Sequence, residues 1–253
     1  MKKSVFFFIC LTLFSCLHNN KIDKKKTNVN KSKLTENSHP TQKKVSNGCS
    51  YDNDVSTLGI GIVIAPEKFD IYDDSLLTSK SASYDIYNVD ESKINICPKF
   101  FKPDYGIMHF ICIDSTEKAY KVLINYDESK YLPKTKTYVF KSWPDYINES
   151  YGVRRLSFED KNFSVPNLQQ PLRKSPSKNA DTLAIPSGYE MFCPAEIKGD
   201  WLRVKFDCFY NDEGNKHEGE PCHNYIDQCK NPVSGWLRWR DGNKLLIDIF
   251  LQP

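Results

Sequence analysis

Cysteine is the residue type in this chain whose spacing most clearly predicts chemistry. Two windows of equal length, residues 97–112 and 193–208, each begin and end with cysteine. Turn residues at the centre of each window separate stretches in which apolar and polar residues partly alternate, a pattern typical of a β-hairpin. If the turns are centred just after Asp104 and Asp200, the end cysteines of each window face each other. Each window is therefore predicted to carry a cross-strand disulfide. The predicted pairs are Cys97 with Cys112 and Cys193 with Cys208.

Residues 209–233 form a segment rich in charged residues and glycine, and this segment contains two more cysteines. Cys222 and Cys229 are expected to close a small loop as a disulfide. Together with His217 and His223 they are also a candidate zinc-ligand set, because thiolates and imidazoles are the usual structural ligands. The spacing matches no familiar zinc knuckle, so we predict no metal and no cofactor.

Cys49 is the odd thiol in this scheme. It can pair outside the two hairpins, remain free, or change the assumed connectivity.

Nucleophilic catalysis would need a thiol and a base within hydrogen-bond reach. Cys222 or Cys229 with His217 could satisfy that requirement, but no oxyanion-stabilising group can be named. His109 falls on a predicted hairpin strand, and Asp73 and Asp74 fall in a predicted turn, where solvated carboxylates are ordinary. We therefore predict that the protein is not an enzyme.

Four aromatic residues near the C-terminus are the candidates for ligand binding: Tyr189, Trp201, Trp236 and Trp239. Trp236 and Trp239 are three residues apart, so on one strand they would point to opposite faces. One is then expected in the core and the other at the surface. The alternative is that all four serve only packing within the fold.

The elements that position these residues occur twice along the chain. The two cysteine-bounded windows match without a gap, which indicates an internal repeat of the hairpin. The matched pairs are Cys97/Cys193, Pro98/Pro194, Lys102/Lys198, Asp104/Asp200, Tyr105/Trp201, Phe110/Phe206 and Cys112/Cys208.

The pattern around the second window resembles the bacterial SH3 domain. It runs Leu172-Arg173, then Thr182 to Gly188, then Gly199-Asp200-Trp201 to Val204, and finally Ser234-Gly235-Trp236-Leu237. The resemblance covers about residues 168–253 and implies a small β-barrel that binds extended peptides or glycans. Residues 209–233 are an insertion that departs from this pattern. Residues 48–150 are expected to form a divergent SH3-like copy, and residues 151–167 a linker.

The N-terminal residues 1–15 have the order of an export signal, with Lys2 and Lys3 followed by a short apolar stretch. That stretch is shorter than the roughly 20 residues needed to span a bilayer. Leu13-Phe14-Ser15-Cys16 resembles the lipobox of bacterial lipoproteins, which implies cleavage before Cys16 and lipidation of its thiol. An ordinary signal peptide with a chance cysteine is the alternative.

Residues 16–47 are rich in lysine and small polar residues and poor in large apolar ones, which predicts a disordered tether. The net positive charge of the signal and tether is larger than the formal net charge of the whole chain, +3. Residues 48–253 are therefore mildly acidic. A nucleic-acid partner would need a clustered basic footprint, and we predict none.

The predicted fold class is mainly β, with two small SH3-like β-barrel units in tandem after the tether. The predicted function is that of a non-catalytic binding module anchored to an envelope membrane through Cys16, with a peptidoglycan peptide or an envelope protein as partner. An immunity or inhibitor lipoprotein and a structural spacer are the alternatives. The ectodomain is expected in the periplasm in preference to the cell surface.

Overall fold

The computed structural model describes most of the chain beyond its N-terminal segment. The described residues are 55–90, 94–155, 170–185, 191–210, 214–230 and 233–251. They form a mainly β fold with seventeen strands, one α-helix and four short 3-10 helices among them, in agreement with the predicted fold class. The predicted signal and tether, Cys16, Cys49 and Tyr189 lie outside the described residues.

The first sheet comprises the strands β1 to β8. Their bounds are β1 Gly61–Ile64, β2 Lys68–Tyr72, β3 Lys80–Asp85, β4 Phe100–Lys102, β5 Ile107–Ser115, β6 Ala119–Leu123, β7 Ser129–Pro133 and β8 Val139–Ser142. The order is β3-β2-β7-β6-β5-β1-β8, with β4 paired to β5, and every described pairing is antiparallel.

The second sheet follows a single α-helix, α1, at Trp143–Asn148. Its strands are β9 Gly152–Arg155, β10 Leu172–Arg173, β11 Thr182–Leu183, β12 Phe192–Lys198, β13 Trp201–Phe206, β14 Ser234–Arg238 and β17 Ile247–Phe250. The order is β11-β10-β14-β13-β12-β9-β17. A separate ribbon consists of β15 Arg240–Asp241 and β16 Lys244–Leu245, and the 3-10 helices are Ile86–Asn88, Pro103–Tyr105, Cys222–Asn224 and Ile226–Gln228.

The burial of each strand follows from its neighbours in the sheet. The run Ile107 to Cys112 in β5 is buried at every position, because this central strand is covered on both faces and its residues are nearly all apolar. By contrast, β13 alternates, with Leu202 and Val204 buried and Trp201, Arg203 and Lys205 partly exposed. Its period of two predicts one face toward the core and one toward solvent.

One hydrophobic core receives side chains from both sheets and from α1. Its members include Leu58, Ile62, Ile111, Trp143, Tyr146, Leu172, Leu202, Leu237, Trp239 and Ile249. The rings of Trp143 and Trp239 lie 5.9 Å apart, centroid to centroid, and both side chains are 3% exposed. A second core cluster lies within the first sheet. The described residues accordingly all belong to a single compact unit.

The helix α1 is short, and local hydrogen bonds hold its position. The Ser142 hydroxyl caps it by accepting a hydrogen bond from the Asp145 backbone N–H at 3.3 Å, and Pro144 occupies its first turn. The indole Nε1–H of Trp143 donates to the backbone carbonyl of Leu58 at 2.7 Å. This bond ties the helix to the segment that precedes β1.

The predicted linker, residues 151–167, begins with a strand of the second sheet. Residues Gly152–Arg155 form β9, which pairs with β12 on one side and β17 on the other. The chain therefore enters the second sheet before residue 168, where the second unit was predicted to begin. Residues 156–169 lie outside the described part.

The predicted Cys193–Cys208 disulfide is wrong because the register of its hairpin differs from the expected one. The two-residue turn puts Lys198 opposite Trp201, whereas the pairing of the cysteines would need Lys198 opposite Arg203. A β-bulge between Pro194 and Glu196 shifts the register again, so Cys193 lies opposite Lys205. Cys208 comes after β13 has ended at Phe206.

The predicted Cys97–Cys112 disulfide is also wrong, although the register of this hairpin is the expected one. Phe100 pairs with His109 and Lys102 with Ile107, as the prediction requires. At Cys112, however, the same edge of β5 is occupied by β6, whose Val122 lies opposite. Cys112 is a buried free thiol, so the disulfide that Cys97 forms does not involve it.

The predicted Cys222–Cys229 loop is replaced by two longer connections. Cys193 pairs with Cys222 and Cys208 pairs with Cys229, with Cα–Cα distances of 5.3 and 5.9 Å. Both bonds therefore join the β12–β13 hairpin to the insertion.

Disulfide mapping checks this connectivity. Cleavage at lysine and arginine without reduction should leave residues 179–198, 206–216 and 217–230 joined as one species, because the last peptide carries both Cys222 and Cys229. A second cut after Tyr225 should separate this species into two linked pairs. Release of residues 217–230 as an unlinked peptide would contradict the structure. Cys112 should be alkylated only after unfolding, because it is fully buried.

A second prediction concerns Trp143. Trp143→Phe should lower the free energy of unfolding by roughly 2–3 kcal/mol, because it leaves the Leu58 carbonyl without its donor and a small cavity beside Trp239. Urea unfolding measures the change. Tyr105→Ala is the control, since its side chain is 64% exposed and its removal should change stability by about 0.5 kcal/mol or less. Equal effects of the two variants would show that Trp143 is not part of the core.

Candidate functional site

The outward face of the second sheet carries a set of aromatic and cationic side chains. Inward positions on β10, β13 and β14 are buried apolar residues, so the alternate positions face away from the core. The outward residues are Arg173, Trp201, Arg203, Trp236 and Arg238, and all five are partly exposed. We call this set the Trp–Arg face.

The strand register alternates aromatic and cationic residues across the Trp–Arg face. Trp236 lies between Arg203 on β13 and Arg173 on β10. Trp201 lies opposite Arg238 on one side and Lys198 on the other. Directly opposite residues in an antiparallel pair have Cβ atoms about 4.5–5.5 Å apart, so each tryptophan has at least one arginine as a direct cross-strand neighbour.

Each arginine of the Trp–Arg face has one partner that helps to orient it. Arg203 forms an ion pair with Glu196 at 3.2 Å, and Arg238 forms one with Asp241 at 2.8 Å. The Arg173 guanidinium donates to the carbonyl of Ala180 at 2.7 Å. A guanidinium has five N–H donors, so these single partners leave donors with which a carboxylate ligand can bond.

Gly235 permits the close strand packing on which this face depends. A Cβ atom at this position would lie 2.5 Å from Cγ of Leu172 on β10. The Leu172 side chain therefore packs directly on the backbone of β14. This packing explains in part why glycine precedes Trp236.

Trp239 differs from the other predicted ligand-binding residues because it belongs to the core. Its side chain is 3% exposed, and its Nε1–H donates to the carbonyl of Gly199 at 2.8 Å. The Arg240 guanidinium lies 4.7 Å from the centre of its ring. The expected division between Trp236 and Trp239 is confirmed, since only Trp236 is partly exposed. Tyr189 lies outside the described residues.

The insertion contributes a second candidate site, a pocket of about 500 Å³. The sheet side of the pocket is lined by Met191, Asp207 and Phe250, and the insertion side by His217, Glu220 and Tyr225. We call it the insertion pocket. Asp207, His217 and Tyr225 are 2%, 7% and 4% exposed. The two disulfides fix the insertion against the hairpin and so hold the two sides together.

Tyr225 and Asp207 form a buried hydrogen-bonded pair in the wall of the pocket. The Tyr225 hydroxyl donates to Asp207 Oδ2 at 2.8 Å, and the Phe209 backbone N–H donates to Asp207 Oδ1 at 3.0 Å. Burial raises the pKa of Tyr225, and the hydrogen bond and the negative charges of Asp207 and Glu220 raise it further. The phenol therefore stays protonated and keeps donating to the carboxylate.

His217 is a buried imidazole that sequence reasoning treated only as a metal or catalytic candidate. Its ring stacks on Tyr225 with centroids 4.6 Å apart and meets the edge of Phe209 at 4.7 Å. Within the described residues, neither ring nitrogen has a hydrogen-bond partner. Nδ1 lies 3.6 Å from a carboxylate oxygen of Glu220, which is beyond hydrogen-bond range.

The zinc set considered from sequence is not assembled in this structure. Cys222 and Cys229 carry disulfides and so offer no thiolate, and His223 is exposed. The sulfur atoms of Cys193 and Cys222 and a carboxylate oxygen of Asp207 lie within 4.8 Å of one another. Because these two sulfur atoms are bonded to each other, they cannot act as a thiolate pair.

The cysteines considered as catalytic nucleophiles beside His217 have no free thiol in the structure. The bonded Cys222 and Cys229 have no thiol for His217 to activate. Cys112 is the free thiol of the described region, and burial raises its pKa to about 11. His109 is 8% exposed, and its Nδ1 shares a 2.8 Å hydrogen bond with the hydroxyl of Tyr146.

Comparison with known proteins finds no matching family, no similar curated protein and no similar solved structure. Among the described residues, no helix has the length and apolar character needed to cross a bilayer.

The buried His109 predicts a pH dependence of stability. Burial, assisted by the positive charge of Lys141, lowers its pKa from 6.5 to about 4. Between these values the unfolded chain binds a proton that the folded chain does not. The contribution of His109 to the free energy of unfolding is therefore fully present above pH 6.5 and is lost as the pH falls toward 4.

Urea unfolding between pH 4 and pH 7 measures this dependence. Between pH 7 and pH 4, protonation linked to His109 should lower the free energy of unfolding by roughly 2–3 kcal/mol. This part of the decrease should be absent in His109→Gln. An NMR titration should find the His109 ring neutral at pH 5. A ring that is charged at pH 5 in the folded protein would contradict the prediction.

Proposed function

We propose that this protein is a bacterial envelope lipoprotein that binds peptidoglycan non-catalytically through the Trp–Arg face. The ligand is an extended stem peptide of the wall, whose free carboxylates bond to Arg203 and Arg238 while its apolar parts lie on Trp201 and Trp236. The observation that carries the proposal is the alternation of partly exposed tryptophan with arginine across β13 and β14.

The position of these residues supports a binding role over simple packing. Their inward neighbours already fill the core, so the tryptophans on this face are not needed to complete it. An indole left partly exposed between guanidinium groups offers a flat apolar surface beside charged donors. Surfaces that combine aromatic residues and arginine are typical of binding hot spots.

The arrangement of the SH3-like sequence elements also supports the proposal. The Leu172-Arg173 strand, the Gly199-Asp200 hairpin and the Gly235-Trp236 strand lie side by side in one sheet as β10, β12–β13 and β14. The resemblance implies recognition of extended ligands on such a β surface. Lipidation at Cys16 would hold this surface in the envelope, close to the wall.

The aromatic and cationic character of the face also bears on the alternatives. An inhibitor that uses a large acidic surface would present carboxylates, whereas this face presents guanidinium groups that are only partly paired. A structural spacer would have no need for two partly exposed tryptophans. Carboxylate-bearing peptide is therefore the ligand that best complements the charge of this face.

Sedimentation with insoluble peptidoglycan tests the proposal. The lipidated protein, purified in detergent, should bind in a saturable way and be displaced by soluble stem peptides but not by a glycan of the same wall. The variant with Trp201→Ala and Trp236→Ala should bind about tenfold or more weakly, because it removes the aromatic contacts. Arg203→Gln should weaken binding severalfold and reduce its dependence on salt.

A matched variant separates the Trp–Arg face from a general effect of exposed aromatic residues. Tyr105→Ala with Tyr126→Ala removes two side chains that are 64% and 59% exposed and lie before the second sheet in sequence, and it should bind like the parent. Equal binding by the parent and the tryptophan variant would sink the proposal. Sedimentation of neither protein above an unrelated control would also contradict the proposal. Binding of an envelope protein through this face would then replace peptidoglycan binding as the proposed function.

A further inference from the structure

We propose that the insertion pocket is a second binding site, specific for a small ligand that carries a protonated primary amine. The site is built by residues other than those of the Trp–Arg face, and the inference does not rest on the function proposed for that face. Its volume of about 500 Å³ lies in the range of small-molecule sites, roughly 300–1,000 Å³.

The charge of the lining selects a cation. The pocket is bordered by the carboxylates of Asp207, Glu218 and Glu220, against a single lysine among its lining residues, Lys102. Asp207 is the decisive group because it is 2% exposed. Its donors in the described structure, the Tyr225 hydroxyl and the Phe209 backbone N–H, are both neutral. A buried carboxylate stabilised only by neutral donors favours a cation as its next partner.

The unsatisfied imidazole of His217 identifies where a donor is needed. The side chain is 7% exposed, and neither nitrogen has a hydrogen-bond partner within the described residues. A neutral imidazole has one nitrogen that can accept a hydrogen bond, and leaving it unpaired in a buried place is unfavourable. An ammonium group has three N–H donors. It could therefore bond to His217 and to the nearby Glu220 carboxylate together, because the two side chains lie 3.6 Å apart at their closest polar atoms.

Aromatic side chains complete the chemistry of the pocket. Tyr151, Tyr210, Tyr225 and Phe250 line it together with Met191. Aromatic faces attract alkylammonium groups through their quadrupoles and also cover the attached methylene groups. The ligand class is therefore an amine on an apolar carbon chain. A metal ion has no methylene groups for these rings to cover.

The disulfides give the pocket a fixed shape before any ligand arrives. Cys193–Cys222 and Cys208–Cys229 both tie the insertion to the hairpin that carries Asp207. A wall held in place in this way loses less conformational freedom on binding. The same bonds keep His217 and Tyr225 stacked beside the carboxylate.

Ligand-observed NMR with the purified protein in detergent tests the inference, using butylamine as the probe and butan-1-ol as its uncharged counterpart. Butylamine should bind with a dissociation constant on the order of millimolar, as expected for so small a ligand, and butan-1-ol at least tenfold more weakly. Equal binding of the two compounds, or binding of Zn²⁺ or Ca²⁺ without binding of butylamine, would overturn the proposal.

Variants locate the binding. Asp207→Asn should weaken butylamine binding about tenfold while it keeps the size of the side chain. Because this buried residue also supports the fold, Glu220→Gln serves as a second variant at an exposed position, and it should weaken binding severalfold. Glu117→Gln removes an equal charge from an exposed residue outside the pocket and should bind like the parent. Unchanged binding in Glu220→Gln and in a folded Asp207→Asn would place the amine elsewhere and refute the site.

Discussion

The contact between Trp143 and Trp239 is the interaction on which the rest of the structure depends. Trp143 belongs to the helix after the first sheet, and Trp239 follows β14 in the second sheet. Their rings meet in a core that both sheets help to fill, and the indole N–H groups bond to backbone carbonyls at Leu58 and Gly199. Burial of such large side chains supplies much of the stability of a fold this size. Because the two halves share this core, neither sheet completes its apolar packing alone.

A second constraint comes from the covalent connections of the insertion. The two disulfides do not close the hairpin on itself but fasten residues 209–233 to it. The insertion has only short 3-10 helices in its described part, so it has few backbone hydrogen bonds of its own to fix its shape. The crosslinks, with the aromatic stack of His217 on Tyr225, provide that order. Formation of the insertion pocket is therefore a consequence of the oxidised state.

The second sheet thus supports two surfaces of opposite chemical character. Outward residues of β10, β13 and β14 present tryptophan and arginine, which suit carboxylate-bearing ligands. The insertion pocket, next to the end of β13, presents carboxylates, an imidazole and aromatic rings, which suit an amine. Strand geometry allows the sheet to build a core and a binding surface together, because each strand contributes one row of side chains to the core and another to a surface.

The sequence by itself determined the features that depend on neighbouring residues. Alternation of apolar and polar residues predicted the mainly β fold, both hairpins and the opposite burial of Trp236 and Trp239, because strand geometry repeats every two residues. Only the tertiary structure decided how the cysteines pair. A bulge after Pro194 and competition of β6 for the edge at Cys112 separate the predicted partners, and the second of these leaves no local signal. The insertion pocket likewise arises from contacts between distant segments, which spacing along the chain does not encode.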